Sequence, residues 1–151
     1  MSAAWRASLI LSRIIPPASA LAALCVWATP AHAGVVSVQV EGARSAKGEI
    51  YVAICSAQTF NTERCEVASK TPAGQGGGPI TFPSVPPGTY AVKVFHDENA
   101  NGRVDSDWFG SPTEGFGLSN NPPRNAWKQF ESAAFTVADQ PARLTVRLSY
   151  R

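Results

Sequence analysis

Histidine is almost missing from this chain: there are two in 151 residues, His32 and His96. With so few imidazoles, catalysis by a nucleophile and its base has little to work with. Cysteine is also scarce, at three residues, and no C-x-x-C or Cys/His cluster of zinc-binding spacing occurs. No stretch of ten or more residues carries a convincing helical period, which argues against a helical bundle or an α/β fold. No basic run is present, which excludes the usual electrostatic footprint of a nucleic-acid partner or an anionic membrane surface.

The apolar run that does occur is N-terminal. Arg6 and Arg13 precede an apolar stretch from Ile14 to Ala28, and Thr29-Pro30-Ala31-His32-Ala33 supplies an A-x-A cleavage signal. This order describes a secretory signal peptide cleaved near Ala33. Pro16 and Pro17 interrupt a segment already shorter than the ~20 residues a membrane span needs, and nothing later could span. Cys25 follows a bulky Leu24 where a lipoprotein signal requires a small residue. The expectation is a signal at 1–33 and one domain at 34–151, a monomer in the periplasm or outside the cell. The 118 residues left after cleavage suffice for one core. Both leader arginines leave with the signal, so the net charge of +2 falls to zero, with 11 basic and 11 acidic residues.

Cys55 and Cys65 remain, and an even count in an exported chain reads as one disulfide. Closing so short a loop is worth about 2.5 to 3 kcal/mol on the chain-entropy model.

Period-two alternation dominates the rest. Val36, Val38 and Val40 share one face, as do Ile50, Val52 and Ile54, then Tyr90, Val92 and Val94, then Phe135 and Val137, then Leu144, Val146 and Leu148. Ile80-Thr81-Phe82 adds a short strand. Each strand has one apolar face needing a cover, so the expected fold is all-β: a single antiparallel β-sandwich of about seven strands, immunoglobulin-like or prealbumin-like. Residues 56–79, rich in Ser, Thr and Gly, read as a mobile loop stapled at its base, and Pro86-Pro87-Gly88 as a tight turn. Residues 97–130 show no clear period, and a connection of that length in a compact domain is usually functional.

That segment opens with Asp97, Asn99, Asn101 and Asp105, which occupy positions 1, 3, 5 and 9 of a calcium-loop register, with Gly102 at 6 and the Arg103 carbonyl at 7. A hard cation wants several oxygens at about 2.3 to 2.6 Å, so the chain must curl round it. Trp108 stands at position 12, the usual place of a bidentate Glu, leaving Asp107 or Glu114 to return and fill it. The expected cofactor is a weakly held calcium ion. The competing reading is a set of Asx turns in which the Asp and Asn side chains only satisfy nearby backbone N–H groups.

Trp108, Phe109, Phe116 and Trp127 crowd the same segment. They serve either as a plug for the open end of the sandwich or, on the alternative reading, as a platform for an unidentified glycan or protein ligand. Enzyme chemistry ranks below both. A Ser-His-Asp set would have to combine His96 with Asp97 or Asp105 and an unmarked serine such as Ser119, with no nucleophile elbow. Asp105, Asp107 and Glu114 offer carboxylate pairs of the kind used in glycoside hydrolysis, but so does any compact acidic loop. No catalytic residue is assigned, and the function expected is a non-catalytic one. By its alternation, His96 shares the face of Val92 and Val94 and reads as a core-edge residue bonded to backbone.

The run Pro87-Gly88-Thr89-Tyr90-Ala91-Val92, then His96-Asp97-Glu98-Asn99-Ala100-Asn101-Gly102, then Phe109-Gly110 and Glu114-Gly115-Phe116-Gly117-Leu118-Ser119-Asn120-Asn121, resembles the signature of the bacterial exported family DUF2141. The likeness runs from about Val36 to Leu148. It implies an exported β-sandwich and no established activity. More distantly, the D-x-N-x-N-G-x-x-D core is similar to calcium loops in the β-sandwich repeats of bacterial surface adhesins, which carry an acidic residue where Trp108 stands here.

Overall fold

A computed structural model describes residues 33–62, 64–75, 78–108, 110 and 112–151. Apart from Ala33, the expected signal segment lies outside them. Among the described residues, no helix is long and apolar enough to cross a membrane.

The alternating valines form strands, as their β-branched side chains favour. In chain order these are β1 (Gly34–Glu41), β2 (Glu49–Cys55), β3 (Val67–Pro72), β4 (Ile80–Val85), β5 (Gly88–Asp97), β6 (Gly115–Leu118), β7 (Ala134–Val137) and β8 (Ala142–Arg147). Among the described residues, one helical turn, α1 (Phe130–Ala133), and two 3-10 turns interrupt them. One sheet runs β4-β1-β8; the other runs β3-β2-β5-β6, with β7 also paired to β5. Between the sheets, Val36, Val38, Phe82 and Val146 from the first pack against Ile50, Val52, Ile54, Val92 and Val94 from the second. The fold is therefore the all-β sandwich expected, with eight strands.

Three expectations need correction. Residues 56–79 are not one loop, because β3 lies within them and pairs along β2 from Glu49↔Pro72 to Ile54↔Val67. Residues 97–130 likewise contain β6, a strand of two glycines and two apolar residues. The sheets are not wholly antiparallel either, since β1 and β8 run parallel from Val36↔Ala142 to Glu41↔Arg147.

The outer face of the second sheet is partly covered. Cys55 and Cys65 are bonded, with their Cα atoms 4.5 Å apart. The loop they close brings Phe60 onto a second apolar cluster with Cys55, Ala91, Leu118 and Ala133. Lys93 of β5 fixes the same loop by donating from Nζ to the carbonyls of Phe60 and Thr62, both at 3.0 Å.

The two sheets touch where β6 meets the end of β8. A Cβ on Gly117 would stand 2.5 Å from the Arg147 carbonyl oxygen and 2.9 Å from a Val146 methyl. Gly117→Ala is therefore expected to cost about 1 to 3 kcal/mol through overpacking, measured by chemical denaturation. Unchanged stability would show that the sheets can separate here without loss. Replacing the disulfide with Ala at buried position 55 and Ser at position 65 is expected to lower stability by about 2 to 4 kcal/mol.

Candidate functional site

The candidate site grows out of the end of β5. Asp97 closes that strand opposite Glu49 of β2 and is fully buried. Its carboxylate accepts two backbone N–H groups from the following turn, Asn101 N at 3.1 Å to Oδ1 and Gly102 N at 2.7 Å to Oδ2. Those N–H groups can point back because the chain turns through left-handed conformations at Ala100 (φ 56°) and Gly102 (φ 76°). Successive Asx turns continue the pattern, with Asn99 Oδ1 accepting from Asn101 N and Asn101 Oδ1 accepting from Arg103 N.

The amide nitrogens of the same two asparagines face inward. Asn99 Nδ2 donates to Asp105 Oδ2 at 2.7 Å, and Asn101 Nδ2 donates to Asp105 Oδ1 at 3.0 Å. Asp97, Asn99, Asn101 and Asp105 are thus gathered into one loop. Glu114 joins them: nearly buried, it accepts from Glu98 N at 2.9 Å and from Asp105 N at 3.2 Å, holding both necks of the loop together. Asp107 turns elsewhere and forms an ion pair with Arg151. Arg103 contributes its N–H to an Asx turn.

These contacts match the Asx-turn reading in detail and leave the cation question to chemistry. Among the described residues, no three His, Cys, Asp or Glu side chains are grouped to hold a metal. A cation here would have to draw on the amide oxygens of Asn99 and Asn101 beside the carboxylates of Asp97 and Asp105. Both amides would then have to rotate, exchanging nitrogen for oxygen toward Asp105. Oxygen-only donors of that kind suit calcium rather than zinc.

Charge favours such an exchange. Among the described residues, no Lys or Arg forms an ion pair with Asp97, Asp105 or Glu114. The Arg44 guanidinium pairs instead with Glu98, and its hydrogen bond holds the Glu98 carboxyl below its ordinary range.

A polar chain braces the loop from beneath. His96, fully buried, meets the Lys47 carbonyl through Nε2 at 2.7 Å and the Tyr150 hydroxyl through Nδ1, also at 2.7 Å. With Nε2–H donating to the carbonyl, Nδ1 accepts from Tyr150, whose oxygen in turn accepts from Arg44 N at 3.1 Å. His96 is thus bonded to backbone at the edge of the core.

Ser119 has a structural task that its place in sequence gives no sign of. The partner edge of β5 is divided, β7 covering Gly88 to Ala91 and β6 covering Lys93 to His96. Ser119 fills the gap at Val92: its Oγ accepts from Val92 N at 2.9 Å and donates to the Ala133 carbonyl, while its own N–H donates to Val92 O.

The aromatic residues do not act together. Phe116 and Trp127 pack at 5.0 Å between ring centroids, and the Trp127 indole N–H donates to the Pro122 carbonyl. Trp108 is 101% exposed and plugs nothing. Phe109 lies outside the described residues.

The turn geometry predicts unequal responses to substitution. Ala100→Gly is expected to leave stability unchanged or raised, because it relieves a left-handed alanine, while Gly102→Val lowers it by about 1 to 2 kcal/mol. Thermal denaturation of the two variants checks this, and equal behaviour would show that the turn is not set by these conformations.

A family model matches residues 38–145: DUF2141, described as an uncharacterised protein conserved in bacteria. Comparison with curated proteins and with solved structures finds no match.

Proposed function

We propose, for a chain that belongs to the DUF2141 family of bacterial proteins, a non-catalytic role as an exported β-sandwich whose loop from Asp97 to Asp105 takes a calcium ion. The observation that carries this reading is that Asp97, Asn99, Asn101 and Asp105 are drawn into one hydrogen-bonded loop with no cationic side chain paired to its two carboxylates among the described residues. Asp97 is buried and Asp105 half-buried, and a divalent cation beside them would offset the cost of holding unpaired negative charge there. Asp97, Asn99, Asn101 and Asp105 would hold the ion, with the Arg103 carbonyl as a further oxygen. Glu114 would stay at the loop necks, tying the bound loop to β6. The ion's contribution is rigidity, since this segment's order otherwise rests on side-chain-to-backbone hydrogen bonds.

Without a bidentate position-12 Glu, the Kd is expected in the weak extracellular range, about 10⁻⁴ to 10⁻³ M. At ~100-fold excess over Kd, binding to the native state alone adds about 2.7 kcal/mol, which raises Tm by several degrees. Melting curves in calcium, in magnesium and in chelator decide it: a shift specific to calcium and abolished by Asp105→Asn supports the site, and superimposable curves overturn it.

A second reading rests on Trp108, whose exposed indole has the shape and apolar face of a sugar-stacking platform. Retention of a glycan on an array, lost in Trp108→Ala, would favour that recognition role.

A further inference from the structure

Beyond the cation loop, the outer face of the second sheet carries an open groove of about 760 Å³. Its origin lies in incomplete cover. The disulfide loop and the segment through α1 bury the Phe60, Ala91, Leu118 and Ala133 part of that face. They leave Ala53 on β2, Phe95 on β5 and Phe116 on β6 only partly covered, and these form the groove's floor. One rim carries Lys93, and the other is the Asp/Asn loop, contributing Arg103 and Val104.

We propose that this groove binds a small amphipathic organic anion, a flat apolar body bearing a carboxylate. The volume lies within the roughly 300 to 1,000 Å³ typical of small-molecule sites. Ala53 lies beside Ala68 across β2 and β3, and Phe95 beside Phe116 across β5 and β6, so small side chains adjoin two aromatic ones and leave a shallow floor that suits a ring. Val104 is one of two large apolar side chains exposed among the described residues, the other being Trp108, and a ligand in the groove would cover it.

Among the described residues the charge is one-sided: Lys93 and Arg103 both line the groove, and no described Asp or Glu does. Lys93 spends two donors on the Phe60 and Thr62 carbonyls and keeps a third. Burial pushes its pKa down, so it sits where a neighbouring anion would be favoured. The Arg103 guanidinium has no hydrogen-bond or ion-pair partner among the described residues. A sugar would look instead for acidic and amide acceptors, which the described lining residues do not offer.

The test is a titration of the ¹⁵N-labelled protein with indole-3-acetate, and with tryptamine as the same ring bearing the opposite charge, each in calcium and in chelator. The expected result is saturable amide shifts at Ala53, Phe95, Phe116 and Val104 with the acetate, and binding weaker by about fivefold or more with tryptamine. Arg103→Gln, which removes a guanidinium that makes no hydrogen bond or ion pair among the described residues, should weaken the acetate by a similar factor and leave tryptamine unchanged or tighter. Lys93→Met should do the same but also loosens the disulfide loop, so Arg103→Gln is the deciding variant. No groove shifts up to about 10 mM in either condition, or equal affinity for both charges, overturns the proposal. Because the chelator arm removes the cation, acetate binding there stands independently of the calcium reading.

Discussion

A strand buried in the middle of a sheet must find a partner for every N–H and C=O along both edges, and β5 meets that demand in three ways. One edge is served by β2 from Glu49↔Asp97 to Cys55↔Ala91. The other is shared by β7 and β6, each four residues long, which leaves Val92 between them. An unpaired buried amide costs roughly 1 to 3 kcal/mol, and Ser119 removes that cost by standing in for a ladder residue. The placing of β6, and with it Glu114 and the Asp/Asn loop, follows from this division of one edge between two short strands.

The loop repeats the same economy at smaller scale. Where the ladder ends at Asp97, side chains take over the role of backbone partners: Asp97 for Asn101 and Gly102, Asn99 for Asn101, Asn101 for Arg103, and Glu114 for Glu98 and Asp105. The result is a segment ordered by acidic and amide oxygens. It is satisfied in its hydrogen bonds and unbalanced in its charge, so its fold does not depend on a cation being present.

Legibility in the sequence followed burial. β1, β2, β5 and β8 each bury one face, so apolar residues recur at every second position and could be read directly. β3 escaped notice because it is an edge strand of Val-Ala-Ser-Lys-Thr-Pro with no buried residue. β6 escaped because two of its four residues are glycines, whose role is to admit the neighbouring backbone and the Tyr150 ring. Strand direction is not encoded in alternation at all, so the parallel β1–β8 pair was invisible. The Asp/Asn spacing was legible because alternate positions along a tight turn share one side. The groove was not, since Ala53, Phe95, Phe116 and Arg103 are neighbours only after three strands and a loop have assembled.

One feature of the first sheet bears on how the chain reaches this state. β1, the first strand described, is central: it pairs with β4 on one edge and β8 on the other. As the chain elongates from its N-terminal end, that strand must wait for residue 142 and beyond before its second edge is closed. Until then Val36, Val38 and Val40 lie on an open template able to recruit a strand from another copy. Such long-range closure slows folding. The interval before β8 arrives is therefore the chain's most vulnerable moment, and a factor that shields nascent chains would act best by covering residues 34–41.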